Sequence, residues 1–299
     1  MTPILFIASG FILGILWVDL KFDWLAVPYR RKTGVLPEEV LAPMTYFYRY
    51  ITGKPIVLAT LMLSIVVTII LELVQISVPA WVAWVSLILF GTALIRSAVL
   101  VIPTARRFGM RTDDLEKQTS IAHALLGMHL FAFILVLLMT ILQFYATVGT
   151  KISMLFFLSI GYILSVGWIN VKFDWIAVPY RGKPGVLPEE VLAPIALFHR
   201  YLKSAVEMGA AMIFILVTLI FEVTQGLFPS WLAWTSLILF VIGMSIPMTI
   251  IRSGRRLGAR TDSLEKQTSL AHGLLPGHIV ALVIIFLVGA LQVYGLWIS

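Results

Sequence analysis

The chain contains two copies of one sequence pattern, and this duplication constrains its fold more than any other feature. The run KFDWLAVP at 21–28 returns as KFDWIAVP at 172–179, and an unchanged run, GVLPEEVLAP, follows each copy. The first aspartates of the two copies lie 151 residues apart (174 − 23). Self-similarity at a fixed period indicates repeated structural units. The sequence therefore predicts two tandem repeats, residues 1–149 and 150–299.

The composition places the chain in a bilayer. Of its 299 residues, 60% are hydrophobic and 12% are charged, whereas a soluble domain carries roughly 25% charged residues. One globule cannot bury so much apolar surface, so we expect the lipid bilayer to be its principal partner. The net charge of +7 arises from basic residues beside apolar segments, which argues against nucleic acid as a partner. The absence of cysteine excludes disulfides and thiolate metal sites.

Apolar segments of about 20 residues, the length that spans a bilayer, occur eight times. The predicted spans are Pro3–Trp24, Pro55–Ser77, Ala80–Ile102, Ala122–Val148, Ser153–Trp175, Ala205–Leu227, Ser230–Ile251 and Leu270–Trp297. The first is interpreted as a transmembrane helix and not as a removable signal, because no basic segment precedes it. The predicted fold class is an all-α polytopic membrane protein with eight transmembrane helices, arranged as two tandem four-helix repeats.

Basic residues cluster in alternate loops. The loops after the first and third predicted spans of each repeat hold most of the lysines and arginines, whereas the remaining connections carry almost none. The positive-inside rule therefore places these four loops in the cytoplasm and both termini outside. We expect the membrane to be a prokaryotic plasma membrane. An even number of spans gives both repeats the same orientation, which predicts a pseudo-two-fold axis along the membrane normal.

A second duplicated motif precedes the last helix of each repeat. The run RTDDLEKQTSIAH at 111–123 returns as RTDSLEKQTSLAH at 260–272, with Thr112 as the expected N-cap in the first copy. His129 and His278 follow inside the hydrocarbon, where an ionisable side chain is by default a functional hypothesis.

Acids and imidazoles of the two repeats predict one site per repeat near the cytoplasmic side. Such side chains ligate Zn, Fe or Mn, although no strong metal motif such as HExxH occurs. The candidate metal ligands are Asp23, Glu116, His123 and His129 in the first repeat, and Asp174, Glu265, His272 and His278 in the second. His129 and His278 are also the candidates for binding a cofactor such as haem. The alternative is a set of separately satisfied structural side chains.

Three further features carry expectations. Pro37 and the two acids after it predict the start of a short amphipathic helix on the cytoplasmic surface, followed by an interfacial aromatic belt at 46–50. Glu72 with Gln75, and Glu222 with Gln225, are retained at the outer end of the second span of each repeat, as an ion or proton acceptor or as an interfacial cap. Arg96 has no counterpart in the second repeat, so it either snorkels to the cytoplasmic side or marks a divergence between the halves.

Three functions remain open at this stage. The first is a metal- or haem-dependent membrane enzyme, oxidoreductase-like, that acts on a hydrophobic small molecule; the apolar midplane favours it over transport of a polar solute. The second is a proton-coupled transporter or channel. The third is a structural subunit of a membrane complex, with a membrane-protein partner or a second copy of the chain bound to its loops.

Overall fold

The protein is almost entirely helical. A computed structural model describes residues 2–30, 34–53, 56–147, 151–202 and 205–298, and within these ranges the chain forms α-helices and short 3₁₀ and π turns but no strand. The α-helices are α1 (Thr2–Asp23), α2 (Glu38–Ile51), α3 (Ile56–Gln75), α4 (Ala80–Arg96), α5 (Ile102–Met110), α6 (Leu115–Ala146), α7 (Lys151–Asp174), α8 (Glu189–Leu202), α9 (Ala205–Gln225), α10 (Ser230–Ala259) and α11 (Leu264–Ile298).

Eight helical segments of the described chain are long and apolar enough to cross a membrane, which confirms the predicted number of spans. They are Pro3–Tyr29, Ile56–Gln75, Ala80–Met110, Leu115–Ala146, Ile152–Tyr180, Val206–Gln225, Ser230–Ala259 and Leu264–Ile298. Many large apolar side chains on them face outward, among them Leu63, Trp81 and Phe286. Exposed apolar surface on this scale requires a hydrocarbon environment.

The last helix of each half starts earlier than hydropathy alone predicts. Helix α6 begins at Leu115 because Asp114 caps it, its side chain accepting a hydrogen bond of 2.7 Å from the backbone N–H of Lys117. The expected N-cap at Thr112 was therefore wrong. Capping adds a polar first turn ahead of the apolar segment, and this turn extends the helix toward the loop.

The chain divides into two compact units, Met1–Met154 and Leu155–Ser299. In the first unit, α1 is the most enclosed span. In its most apolar stretch of 18 residues 72% are buried, whereas in that of α3 only 22% are buried. Leu5, Ile12, Ile69 and Phe90 contribute to the core between α1, α3, α4 and α6. The second unit has a core of its own, in which Leu192, Leu257 and Leu274 join α8, α10 and α11.

A π turn distinguishes the two halves. In the first unit α4 passes into α5 through a π-helical turn, Ser97–Val101, whereas α10 runs through the matching segment as one helix. The sequence from Pro79 to Arg111 is one residue longer than that from Pro229 to Arg260, and a π turn accommodates such an insertion without ending the helix. Arg96 lies just before this turn, with its guanidinium 4.5 Å from the ring centroid of Phe131.

Helix α2 begins after Pro37, as predicted, and one of its faces is buried inside the first unit while Glu38, Glu39 and Arg49 stay exposed. Phe47 and Tyr48 are 0% and 1% exposed, so the interfacial belt predicted at 46–50 was wrong for these two residues. The Phe22 and Phe47 rings stack with centroids 4.1 Å apart, and Phe173 stacks on Phe198 at 4.0 Å in the second unit. This stacking seats α2 against α1 and α8 against α7.

The duplicated loop motifs hold these short helices in place. The backbone N–H of Leu36 donates to Thr119 Oγ1 at 2.9 Å, and Leu187 donates to Thr268 in the same way. Arg111 forms a double hydrogen bond with Glu38 at 2.6 Å, and this guanidinium holds the pKa of the Glu38 carboxyl below its usual value. Arg260 pairs with Glu189 at 2.7 Å. Many of the duplicated polar residues therefore have a structural role.

Candidate functional site

A buried aspartate in the first unit binds an imidazole and a phenol. Asp23 ends α1 and is fully buried. Its Oδ2 lies 2.6 Å from Nδ1 of His129 on α6, and its Oδ1 accepts a hydrogen bond of 2.6 Å from the Tyr48 hydroxyl on α2. The Tyr48 and His129 rings stack with a centroid separation of 5.7 Å. Both carboxylate oxygens are thus engaged by side chains from two other helices.

A second acid faces the other edge of the same imidazole. Asp19 lies one helical turn before Asp23, and its Oδ2 is 3.9 Å from Nε2 of His129. All of these groups are less than a tenth exposed. The cluster Asp19, Asp23, Tyr48 and His129 is called the first-unit cluster below.

The second unit builds a related cluster with more imidazole and less acid. Asp174 Oδ2 lies 2.5 Å from Nδ1 of His278, and Asp174 Oδ1 lies 3.5 Å from Nε2 of His199. The two imidazole rings stack 6.1 Å apart. Asn170 stands one turn before Asp174 and donates its amide to the Val166 carbonyl. The cluster Asn170, Asp174, His199 and His278 is the second-unit cluster.

The protonation chemistry of the two clusters differs. In the first, burial and the nearby Asp23 carboxylate raise the pKa of Tyr48 well above its usual value, so its hydroxyl stays protonated and acts as a donor. In the second, His199 occupies the matching sequence position and can itself accept a proton. Asp174 Oδ1 and His199 Nε2 are both buried without a hydrogen-bond partner. The tautomer of His199 with its hydrogen on Nε2 would point a donor toward this oxygen.

Glycines allow the short helices to approach closely enough to build these clusters. A Cβ at Gly109 would lie 2.5 Å from the backbone nitrogen of Arg49, and one at Gly258 would lie 2.8 Å from that of Arg200. Arg49 also donates to the Gly109 carbonyl at 3.1 Å. Helix α5 and the end of α10 therefore pack directly on the backbones of α2 and α8, next to Tyr48 and His199.

The structure brings together only part of each predicted ligand set. Asp23 contacts His129, and Asp174 contacts His278. Glu116 and Glu265 are exposed on the first turns of α6 and α11, and His123 and His272 are half-buried. Within the ranges that the structure describes, no three histidine or acidic side chains meet in a geometry that could hold a metal ion. The metal and haem assignments stay predictions.

Sequence reasoning missed Tyr48 and His199 because each lies in an aromatic run that is typical of an interfacial belt. A signal was present: the two residues lie 151 apart (199 − 48), the same interval as the site aspartates. A position that carries a phenol in one copy and an imidazole in the other keeps the ability to hydrogen-bond a buried carboxylate.

A second buried polar group lies toward the other end of each unit. Glu72 is 4% exposed, with the Gln143 side chain beside its carboxyl, and Gln143 donates to Ser86 at 3.0 Å. Glu222 has Gln292 beside it in the same way. The retained Gln75 and Gln225 are exposed, and the roles of these residues as an ion or proton acceptor or as an interfacial cap stay predictions. Gln143 follows His129 by 14 residues on α6, which is about 21 Å along the helix axis.

A cavity of about 690 Å³ opens beside the second-unit cluster. Its walls come from α7 to α11 and are mainly apolar, with Met212, Phe240 and Ile250 among them. The polar groups on its lining include His199, His278, Arg200 and Arg255, and none of the described lining residues is an aspartate or glutamate. This volume is in the range of small-molecule binding sites.

These features define an integral membrane protein with buried carboxylate–imidazole clusters inside its helical units. No protein-family model, curated protein or solved structure matches the chain.

Proposed function

We propose that the protein is a proton-coupled membrane transporter for a hydrophobic small molecule, in which the Asp–His pair of each unit accepts and releases the proton. The observation that carries the proposal is the pairing of a buried aspartate with a buried histidine in each unit, at 2.6 Å in the first and 2.5 Å in the second. Ionisable groups inside membrane spans are costly, and proton relays of Asp, Glu and His are one of their established uses.

The bonding pattern favours protons over a metal as the exchanged ion. Asp23 uses one oxygen for His129 and the other for Tyr48, so both of its oxygens already have a hydrogen-bond partner. A histidine near its usual pKa of about 6.5 changes charge in the physiological range. Protonation would convert a neutral imidazole beside a carboxylate into an ion pair, and this change of charge can be coupled to a conformational change.

Each unit also carries a titratable group at a second depth. Glu72 and Glu222 are buried about 21 Å along the helix axis from the Asp–His pairs, within a hydrocarbon core of about 30 Å. We infer that the glutamates and the Asp–His pairs serve as proton stations near the two membrane faces. The cavity beside His199 and His278 supports the small-molecule part of the proposal.

We also propose that the two units are tandem copies of one four-helix module, related by a pseudo-two-fold along the membrane normal. The matched Asp–His, Glu–Gln and Thr–backbone contacts support a common origin. The basic loops would lie in the cytoplasm and the termini outside.

The orientation predicts a labelling pattern. Because the native chain has no cysteine, single cysteines can be introduced without background, at Ser77 between α3 and α4 and at Ser263 before α11. We expect an impermeant thiol reagent added to intact cells to label Ser77→Cys and not Ser263→Cys, which should react only after permeabilisation. The reverse pattern would place the basic loops outside.

Proton coupling is tested in proteoliposomes that contain an entrapped pH-sensitive dye. A panel of amphipathic anions, amphipathic cations and neutral apolar solutes is added on one side. We expect at least one class to change the internal pH faster with wild-type protein than in protein-free vesicles. Glu72→Gln should reduce this rate at least about tenfold, because the amide of glutamine cannot take up and release a proton as a carboxyl group does.

The control for Glu72→Gln is Gln75→Ala, which alters an exposed side chain one turn away on the same helix. It should leave the rate near that of wild type. The transporter proposal fails if no solute class separates wild-type from protein-free vesicles, or if Glu72→Gln and Gln75→Ala behave alike.

The metal-dependent enzyme makes a different prediction. His129 Nε2 and Asp19 Oδ2 are 3.9 Å apart, and these two side chains would be the ones to hold an ion if the first-unit cluster binds one. We expect protein purified without chelator to contain far less than one Zn, Fe or Mn per chain by elemental analysis. Stoichiometric metal that falls on His129→Ala would instead support the enzyme.

A further inference from the structure

We propose that the second-unit cavity binds a single-chain amphipathic anion, such as a fatty acid, with its head between the arginines and histidines and its chain against the apolar wall. The inference rests on the proposed function only in naming the transported substrate. Binding itself is measured without a proton gradient, so the binding proposal and the transport proposal can fail separately.

The charges on the cavity lining select the sign of the ligand. Arg200 on α8 and Arg255 on α10 both contribute to the lining, and the two histidines lie on the same lining. Since no acidic side chain is among the described residues of this lining, its ionisable groups are neutral or positive. Arginine presents a planar set of donors that matches a carboxylate or phosphate. A cationic head would meet no acidic side chain among these described residues.

The buried cluster strengthens this selection. Asp174 sits between two imidazoles, so a single proton makes the cluster neutral and a second proton makes it positive. An anion close to His199 would stabilise that second proton by charge attraction. The ligand and the proton would then bind together, whereas the first-unit cluster, with Asp19 in place of Asn170 and Tyr48 in place of His199, has no such second imidazole.

The remaining lining suits one acyl chain. Ile163, Met208, Met212, Phe240 and Met244 provide apolar contacts, and methionine adapts to irregular apolar shapes. Gly167 and Gly243 also lie on the lining. The matching residues in the first copy are the larger Leu16 and Ala93. A volume of about 690 Å³ corresponds to a site for a small molecule.

The test uses photo-crosslinking in nanodiscs of phosphatidylcholine, with a palmitate analogue that carries a diazirine near the end of its chain. Labelled peptides are identified by mass spectrometry. We expect label on the cavity wall around Met212 and Ile250, and competition by unlabelled palmitate at much lower concentration than by palmitate methyl ester or an alkyl ammonium ion. Phosphatidylglycerol, which has an anionic head and two chains, should compete poorly.

Arginine variants test the head group. Arg200→Ala and Arg255→Ala should each raise the half-maximal palmitate concentration about tenfold, while Arg255→Lys retains part of the affinity. One control is Arg252→Ala, which alters an exposed arginine of α10 outside the lining. The other is Arg106→Ala, because Arg106 is the residue of the first copy that matches Arg255. Both should resemble wild type.

Several results would overturn the inference. The palmitate analogue would merely partition into lipid if its label spreads along the lipid-facing helices or if acid and ester compete equally. An equal loss of palmitate affinity in Arg252→Ala and Arg255→Ala would mean the same. Efficient competition by phosphatidylglycerol would assign the cavity to a membrane phospholipid. If Arg255→Ala is poorly folded, Met212→Trp, which narrows the cavity without changing charge, should still abolish specific labelling.

Discussion

Replacing Asp174 by alanine is expected to abolish solute-driven proton flux and to destabilise the second unit strongly. His278 would lose the acceptor at 2.5 Å from its Nδ1, and two stacked imidazoles would remain buried without a counter-charge. Removing one partner of a buried ion pair costs about 3–5 kcal/mol. The change should appear as a lower thermal midpoint of the detergent-solubilised protein and as loss of flux in proteoliposomes.

Asp174→Asn separates charge from packing. The amide has nearly the shape of the carboxylate and its carbonyl oxygen can still accept from His278, so the thermal midpoint should fall less than with alanine. It cannot carry the negative charge that holds a proton on the imidazole, so flux should still be lost. Asp262→Asn is the control, because Asp262 pairs with Arg256 at the exposed surface and exposed ion pairs contribute little. Wild-type flux in Asp174→Asn would remove the aspartate from the proton route.

Replacing Gly109 by alanine is expected to produce the second large effect, through backbone packing. The new Cβ would lie 2.5 Å from Arg49 N and 2.8 Å from its Cα, and backbone atoms cannot rotate away as a side-chain tip can. Helices α2 and α5 must therefore separate, which costs about 1–3 kcal/mol by analogy with overpacked cores. The shift would move Tyr48 away from Asp23, so both the thermal midpoint and the proton flux should decrease.

The control for this substitution is Gly127→Ala, on a helix face where nothing lies within 4 Å of the added Cβ. It should leave the protein as stable as wild type or slightly more stable, since alanine favours helix over glycine by about 1 kcal/mol. A comparable loss in both variants would mean that a general effect of the added methyl group, and not the contact between α2 and α5, governs the result.

Much of the architecture could be predicted from the sequence. Eight apolar segments long enough to span a bilayer predicted eight membrane helices, and the described part of the chain has eight helices long and apolar enough to do so. The pairing of Asp23 with His129 could also be anticipated, since a buried histidine and a nearby acid each need a partner in hydrocarbon. Orientation and symmetry stay predictions, because loop charge bears on them only indirectly.

The site itself depended on tertiary packing. Tyr48 and His199 lie in aromatic runs, and such a run looks the same in sequence whether its helix lies at the membrane interface or packs inside the protein. The close helix packing at Gly109 and Gly258 is what buries these two side chains. Similarly, the sequence showed that Glu72 is retained but not which residue it contacts, and only the position of α6 showed that Gln143 lies beside its carboxyl.

The sequence by itself determined the features that depend on composition and local order: the membrane environment, the number of spans and the start of α2 after Pro37. These follow from hydropathy and from helix-end chemistry, which act over a few residues. Only the tertiary structure decided which polar groups share a cluster and where a cavity remains. Such contacts join residues far apart in the chain, as Asp174 and His278 are, so their distances depend on how whole helices pack.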